Sequence, residues 1–248
     1  MSDGRAAHDE RTLRAEGLFN GRDLGGLPLR TGGTTPSGRV FRSEGLDRLA
    51  PAGWDALRDA GIRTVVDLRA PSERSKDTGV RPEWLTTVVV DHDGLDDALS
   101  FWQAYWDTGL VGTPLYYGPH LRELPERTGA ALQAIARAEP GGVLFHCAGG
   151  LDRTGIVALA LLTLADVDPE AVVEDYLVTV DNAPALLASI GVPSNEGRIE
   201  DLCAQHGTTV EGAFRQAVAG FDVDRFVERS GLDASDLEAL RTFRAHVT

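Results

Sequence analysis

Apolar and polar positions change their spacing several times along the chain, and each change marks a structural element. Residues 51–61 (PAGWDALRDAG) predict a helix, because their larger apolar side chains recur at helical spacing and Gly61 can cap the end. Short runs rich in β-branched residues predict three strands, at residues 62–68, 86–90 and 143–147. Helical patterns separate these strands. The alternation therefore predicts an α/β domain with a largely parallel central sheet flanked by helices.

The remaining pattern completes a single domain over residues 1–248. A turn at residues 31–38 (TGGTTPSG) is expected to join two short strands, the second at residues 39–42. From residue 154 onward the pattern is almost wholly helical, which gives a helical C-terminal third. Its expected helices span residues 169–179, 183–189, 195–206 and 235–245. Residues 1–15 are expected to be loose.

One acidic segment carries a group of large aromatic residues. Residues 91–109 hold several aspartates together with Phe101, Trp102, Tyr105 and Trp106, which share one helical face. One interpretation is a surface helix docked by its aromatic side. The alternative is a lid, within residues 91–120, packed over an active site.

Composition limits the kind of partner that the chain can have. The 248 residues are 42% hydrophobic and 25% charged, an ordinary globular mixture, with a net charge of −14. That balance argues against a nucleic-acid partner or stable membrane association, because phosphate-rich surfaces are bound by basic patches. The N-terminus shows no secretory pattern, and the longest apolar stretch, residues 156–165, is too short to span a bilayer. We therefore expect a cytoplasmic protein.

The cysteine content argues against a disulfide framework or a cysteine-rich zinc site. The chain holds two cysteines, Cys147 and Cys203, which suit a reducing compartment as free thiols. Cys203 lies in a helical pattern and is expected to be a packed thiol. A redox partner for Cys147 is the alternative role.

The stretch VLFHCAGGLDRTGIVALALL, residues 143–162, joins a strand to a helix through a loop with unusual chemistry. The strand delivers Cys147 to the carboxyl end of the sheet, where open α/β folds bind ligands. The helix N-terminus faces the same loop, so successive backbone N–H groups can form an anion nest. Gly149 and Gly150 permit the backbone to aim those groups inward. Arg153 adds a planar fork that matches two oxygens of a tetrahedral dianion.

These residues together predict a phosphate-transferring site. A thiol beside a helix N-terminus and an arginine is expected to exist as a thiolate, so Cys147 can attack phosphorus. The prediction is phosphoryl transfer to sulfur followed by hydrolysis, with no metal and no cofactor. Thr154 is expected to donate its hydroxyl to the thiolate, and His146 to brace the loop. Asp152 can protonate the leaving group if it faces the substrate.

HCAGGLDRTG, residues 146–155, resembles the signature loop of cysteine-dependent protein tyrosine phosphatases. Other stretches resemble, in the same order, the bacterial tyrosine phosphatase group that also includes phosphoinositide phosphatases. They are residues 19–26 (FNGRDLGG), 38–49 (GRVFRSEGLDRL), 61–69 (GIRTVVDLR) and 172–179 (VVEDYLVT). The resemblance runs from residue 19 to the C-terminus and implies a protein tyrosine phosphatase-like fold.

The resemblance also implies roles for individual residues. Cys147 would be the nucleophile, Arg153 the phosphate-binding arginine and Asp152 the leading candidate for the general acid. The chain has no Trp-Pro-Asp sequence, which favours an acid on the signature loop itself. Asp67, at the end of a strand, is the second candidate for the acid, or else it holds its loop through Arg69. The remaining substrate-binding positions of the loop would be Ala148, Gly149, Gly150 and Leu151.

One departure from the family pattern bears on the substrate. Leu151 stands where many members carry lysine, and leucine cannot pair with extra phosphates on an inositol ring. We therefore expect a protein tyrosine phosphatase that prefers an apolar or aromatic substrate body. The alternatives are a phosphatase of a small phosphorylated metabolite or phosphoinositide, and a non-catalytic phosphate-binding module. A sulfur-transfer or arsenate-reducing enzyme is a further alternative, which would need Cys203 as resolving cysteine.

Overall fold

The fold is built on a five-stranded sheet, as seen in a computed structural model that describes residues 10–189, 191–192 and 196–243. The strands lie in the order β1-β2-β5-β3-β4. The edge strand β1 is antiparallel to β2, and the other neighbouring pairs are parallel. The strands are β1 Arg22–Asp23, β2 Val40–Ser43, β3 Ile62–Asp67, β4 Thr86–Val89 and β5 Gly142–His146.

Helices connect and cover the strands. Those before β5 are α1 Pro51–Asp59, α2 Pro71–Arg74, α3 Leu99–Trp106, α4 Tyr117–Glu123 and α5 Pro125–Ala136, with a 3-10 turn at Pro114–Tyr116. Those after β5 are α6 Asp152–Leu164, α7 Pro169–Ser189, α8 Glu196–Gln205, α9 Val210–Ala219, α10 Val223–Ser230 and α11 Ala234–Arg241. The mixed architecture with a largely parallel sheet and a helical C-terminal third confirms the predicted fold class.

The core lies around β5 and α6, which flank the cysteine loop. All five residues of β5 are buried between β2 and β3. In α6, every residue from Ile156 to Leu162 is buried, so the helix is apolar on all sides. Such a helix must be enclosed by other elements. The cysteine loop therefore connects two deeply buried elements of the fold.

Two helical expectations were wrong. Residues 169–179 and 183–189 belong to one continuous helix, α7, with Pro184 inside it. Proline removes one backbone hydrogen bond, and packing of the helix on the core outweighs that loss. The sequence analysis also missed α9 and α10, although Thr209 and Asp222 cap their N-termini with side-chain hydrogen bonds. Residues 195 and 244–245 of the expected helices lie outside the described residues.

The N-terminal segment is joined to the domain from its first described residues. Leu13 and Ala15 are buried, and Arg11 forms an ion pair with Asp175 at 3.0 Å. Residues 1–9 of the stretch expected to be loose lie outside the described residues. In the part of the chain that the structure covers, no helix is long and apolar enough to cross a membrane.

Candidate active site

The loop of residues 147–151 leaves β5 at the carboxyl end of the sheet and enters α6. Cys147 is 3% exposed, and its Sγ accepts a hydrogen bond from the backbone N–H of Gly150 at 3.2 Å. The loop therefore folds back over the sulfur and directs at least one backbone donor to it. This N–H is one donor of the kind that the predicted anion nest at the helix N-terminus would supply.

Gly150 is required by the shape of this loop. Its φ is +69°, and a Cβ there would lie 2.7 Å from the carbonyl oxygen of Ser43 at the end of β2. A larger residue would be strained by the backbone angle and would collide with the neighbouring strand. Gly149 differs, since its φ is not positive and no heavy atom lies within 4 Å of a Cβ placed there. The predicted conformational role holds for Gly150 and not for Gly149.

Three of the family-like stretches meet beneath the loop in a buried ion cluster. Arg22 and Arg42 each contact the carboxylate of Asp175 at 2.9 Å, and all three side chains are about 1% exposed. Burial alone would raise the pKa of Asp175, but the charges of Arg22, Arg42 and Arg11 hold it well below its usual range. Arg42 also donates from Nη2 to the carbonyl oxygen of Gly150 at 2.9 Å. The cluster therefore anchors the loop.

Asp152 is the first residue of α6 and lies beside a buried tyrosine. The hydroxyl of Tyr117 donates to Oδ1 of Asp152 at 3.0 Å. Burial of the carboxyl raises the pKa of Asp152, against the opposing effects of the Tyr117 hydrogen bond and the charge of Arg153. A carboxyl that retains its proton more readily is suited to acting as an acid.

Arg153 is held by two carboxylates that the sequence analysis missed. Its Nη1 and Nη2 donate to the two carboxylate oxygens of Glu73, and Nη1 also donates to Oδ2 of Asp93 at 3.1 Å. Among the described residues, Nε of Arg153 has no hydrogen-bond partner. Glu73 thus pairs with the two terminal nitrogens of the guanidinium, Nη1 and Nη2. The edge that carries Nε is the one on which a ligand could be bound. A signal for both residues existed, since they follow β3 and β4, whose carboxyl ends share an edge with Cys147.

The aromatic helix α3 borders the site through Asp93. Burial raises the pKa of Asp93 to about 6, against the lowering effect of Arg153. The indole Nε1 of Trp102 donates to the backbone carbonyl of Asp93 at 2.6 Å. Phe101 and Trp102 are buried, whereas Trp106 is 45% exposed. Phe101 and Trp102 therefore pack against the core, and the lid interpretation of residues 91–120 stays a prediction.

Asp67, the second candidate acid, is engaged elsewhere. Arg69 donates to both of its carboxylate oxygens, from Nε at 2.9 Å and from Nη2 at 2.7 Å. Burial raises the pKa of Asp67, but these hydrogen bonds and the nearby His146 leave it lowered overall. A carboxylate held in its ionised form is a poor proton donor. The contacts favour the alternative role, in which Asp67 holds its loop through Arg69.

The other predicted residues surround the sulfur in supporting positions. His146 is buried, its Nδ1 donates to the carbonyl of Cys147 at 2.9 Å, and burial lowers its pKa to about 4. It is therefore neutral at pH 7 and braces the loop. Thr154 is buried, and its hydroxyl has no hydrogen-bond partner within the described ranges, so the expected contact with Cys147 is not formed here. Leu151 is half-buried against the core. The carbonyl oxygen of Ala148 accepts a hydrogen bond from the backbone N–H of Gly45 at 2.8 Å.

Comparison with known proteins places these features in a family. A model described as tyrosine phosphatase family matches residues 13–243. The chain belongs to the tyrosine phosphatase family. It is 29% identical over 244 residues to a Cupriavidus necator protein named as a candidate tyrosine-protein phosphatase, covering 92% of this chain and 86% of that one. It is 31% identical over 200 residues to the triple specificity protein phosphatase PtpB of Mycobacterium tuberculosis, covering 70% and 71%.

A third relative agrees with this assignment. The tyrosine-protein phosphatase of Nostoc commune is 30% identical over 160 residues, 58% of this chain and 49% of that one. The resemblance noted from the signature loop is thus confirmed, and the chain is a phosphatase of the protein tyrosine phosphatase type. Within residues 10–189, 191–192 and 196–243, no group of three or more His, Cys, Asp or Glu side chains could hold a metal ion.

Proposed function

We propose that this tyrosine phosphatase family member hydrolyses phosphomonoesters without a metal, through a phosphate ester formed on Cys147, and that phosphotyrosine in proteins is its substrate. The observation that carries the proposal is the sulfur of Cys147, which lies 3.2 Å from the backbone nitrogen of Gly150 inside a loop that ends at Arg153. Nucleophile, anion-binding donors and a guanidinium thus occupy one turn of the chain.

In the first step, the thiolate of Cys147 attacks phosphorus and the bond from phosphorus to the substrate oxygen breaks. Asp152 gives its proton to the leaving oxygen, so that a neutral alcohol or phenol departs. Backbone N–H groups of the loop and the Nε edge of Arg153 stabilise charge on the equatorial oxygens. Glu73 aids this step by holding the other edge of the guanidinium.

In the second step, a water molecule attacks the phosphorus of the phosphocysteine. Asp152, now a carboxylate, accepts a proton from that water, and the sulfur–phosphorus bond breaks to return the thiolate of Cys147. Inorganic phosphate then leaves the loop. We also propose that Thr154 stabilises the departing sulfur, with its buried hydroxyl turning toward Sγ when the site is occupied.

The substrate assignment is supported by the relatives and by Leu151. Relatives carry the names tyrosine-protein phosphatase and triple specificity protein phosphatase. Leu151 packs against the core and brings no charge to the rim, which favours an aromatic phosphoester over a polyphosphorylated ring. The two free cysteines fit a reducing compartment, and we place the enzyme in the cytoplasm.

Turnover of p-nitrophenyl phosphate in the presence of a chelator tests the chemistry. The natural protein should release phosphate, and Cys147→Ser should abolish release while keeping the fold, as judged by circular dichroism. Persistence of turnover in Cys147→Ser would refute the phosphocysteine route. Trapping of a phosphorylated form by rapid acid quench, present in the natural protein and absent in the variant, gives a second readout.

A phosphoinositide substrate is the second candidate function, favoured by the family resemblance of the loop. Leu151→Lys distinguishes the two. If the substrate is phosphotyrosine, the variant should gain activity on phosphoinositide relative to a phosphotyrosine peptide, because the lysine supplies the missing charge. Efficient phosphoinositide hydrolysis by the natural protein would instead favour the lipid substrate.

A further inference from the structure

Tyr117 has an unusual position for a residue so deep in the fold. It is fully buried at the start of α4, yet its hydroxyl reaches the N-terminal turn of α6. There the hydroxyl lies 3.0 Å from Oδ1 of Asp152 and 3.3 Å from the carbonyl oxygen of Leu151. A tyrosine hydroxyl has one proton, and the shorter contact goes to the carboxyl.

The surroundings leave Tyr117 little freedom to point elsewhere. The rings of Tyr116, Tyr176 and Phe214 pack edge-on against it, with centroids 5.2–6.1 Å away. Gly155 completes the enclosure, because a Cβ there would lie 3.2 Å from the Tyr117 hydroxyl oxygen. The glycine of the signature loop thus makes room for this side chain. Burial raises the pKa of Tyr117 well above its usual value, so the hydroxyl remains a donor.

We propose that Tyr117 is a positioning residue for the general acid: it donates to Oδ1 of Asp152 and thereby keeps the acid proton on Oδ2, the oxygen left to serve the leaving group. This inference rests on the proposed function and assigns a role to a residue outside the signature loop. An oxygen that already accepts a hydrogen bond is the better carbonyl oxygen of a protonated carboxyl. The transferable proton is therefore confined to one atom and one direction.

The same hydrogen bond strengthens when Asp152 loses its proton. A hydrogen bond from a hydroxyl to a carboxylate is stronger than one to a neutral carboxyl. Tyr117 therefore stabilises the Asp152 carboxylate, which is the product of proton donation. Burial of Asp152 has the opposite effect and retains the proton in the resting state. In the second step, the same donor steadies the Asp152 carboxylate while it accepts the proton of water.

Tyr117→Phe tests the proposal, with Tyr116→Phe as a matched control. Tyr116 is equally buried and adjacent, but its hydroxyl has no hydrogen bond to Asp152 in the described structure. Tyr117→Phe should lower kcat/KM for phenyl phosphate by about 10-fold, the effect of one hydrogen bond to a charged group. The loss should be smaller for p-nitrophenyl phosphate, whose leaving group needs less protonation. Tyr116→Phe should match the natural protein.

The pH profile separates positioning from a merely structural role. Loss of a hydrogen bond to the ionised carboxyl raises the pKa of Asp152, so the alkaline limb of kcat/KM should move to higher pH in Tyr117→Phe. In an Asp152→Asn background, Tyr117→Phe should cause no further loss. The proposal would be overturned if the alkaline limb did not move in Tyr117→Phe. It would also be overturned if Tyr117→Phe lowered kcat/KM as much in the Asp152→Asn background as in the natural protein. Both readouts hold even if the variant is less stable.

Failure of the underlying function would look different. If Cys147→Ser kept its turnover, the phosphocysteine mechanism itself would be wrong, and the Tyr117 proposal would fall with it. If Cys147→Ser were inactive and Tyr117→Phe behaved like the natural protein with both substrates, only the positioning role would be refuted.

Discussion

The buried cluster around Asp175 gives the sharpest prediction about stability. Each carboxylate oxygen accepts two arginine hydrogen bonds: Oδ1 from Arg11 and Arg22, and Oδ2 from Arg22 and Arg42, at 2.9–3.1 Å. Asp175→Asn keeps one accepting oxygen and replaces the other with an amide that cannot accept. Two hydrogen bonds to buried cations are lost, at about 1.5–3 kcal/mol each. The sum agrees with the roughly 3–5 kcal/mol expected when a buried ion pair loses one partner.

Urea unfolding at pH 7 measures this loss, and thermal melting should show a decrease in Tm on the order of 10 °C. Glu170→Gln is the matched control, because Glu170 lies on the same helix as Asp175 but forms only an exposed ion pair, with Arg215 of α9. Its loss should leave the midpoint unchanged. Because the folded-state pKa of Asp175 is lowered, its contribution is complete above about pH 4 and declines only as pH falls further. A loss below about 1 kcal/mol, or one that varied between pH 6 and 8, would refute this account.

Other predictions follow from the site. Asp152→Asn should lower kcat/KM for poor leaving groups far more than Asp67→Asn, as measured with a series of aryl phosphates; the reverse ranking would move the acid to Asp67. Gly150→Ala should reduce turnover at least about tenfold, since a left-handed φ costs roughly 1–2 kcal/mol and the Cβ meets the backbone of β2, whereas Gly149→Ala should be tolerated. Cys203→Ser should leave turnover intact because that thiol is fully buried on α8; a loss would favour the redox alternative.

The sequence predicted the elements whose signal is local. The three parallel strands and α1 follow from short-range spacing, and the cysteine loop follows from a motif of ten contiguous residues. The short helices α9 and α10 were not separated as elements, although the sequence from residue 154 onward was expected to be almost wholly helical and side chains cap both N-termini. Pro184 suggested a break in α7 that packing against the core prevents.

The partners of the site residues depend on contacts that no local pattern carries. Glu73 and Arg153 are 80 positions apart, and they meet because β3 pairs directly with β5. Likewise, Arg22 reaches Asp175 across 153 positions. The family-like stretches indicated that these regions matter, but only the fold shows that Arg22 and Arg42 support the loop through Asp175 and Gly150. Tyr117 had no motif of its own and emerged only from its distance to Asp152.

The placement of the cysteine loop between β5 and α6 has a consequence for how the protein loses activity. Amide protons of these fully buried elements should exchange with solvent only when the whole molecule unfolds, whereas those of α3 at the margin should exchange through smaller openings. We therefore expect the reactive centre to unfold together with the core that holds it. Gentle heating should leave its chemistry intact until the cooperative transition, and then abolish it together with the fold.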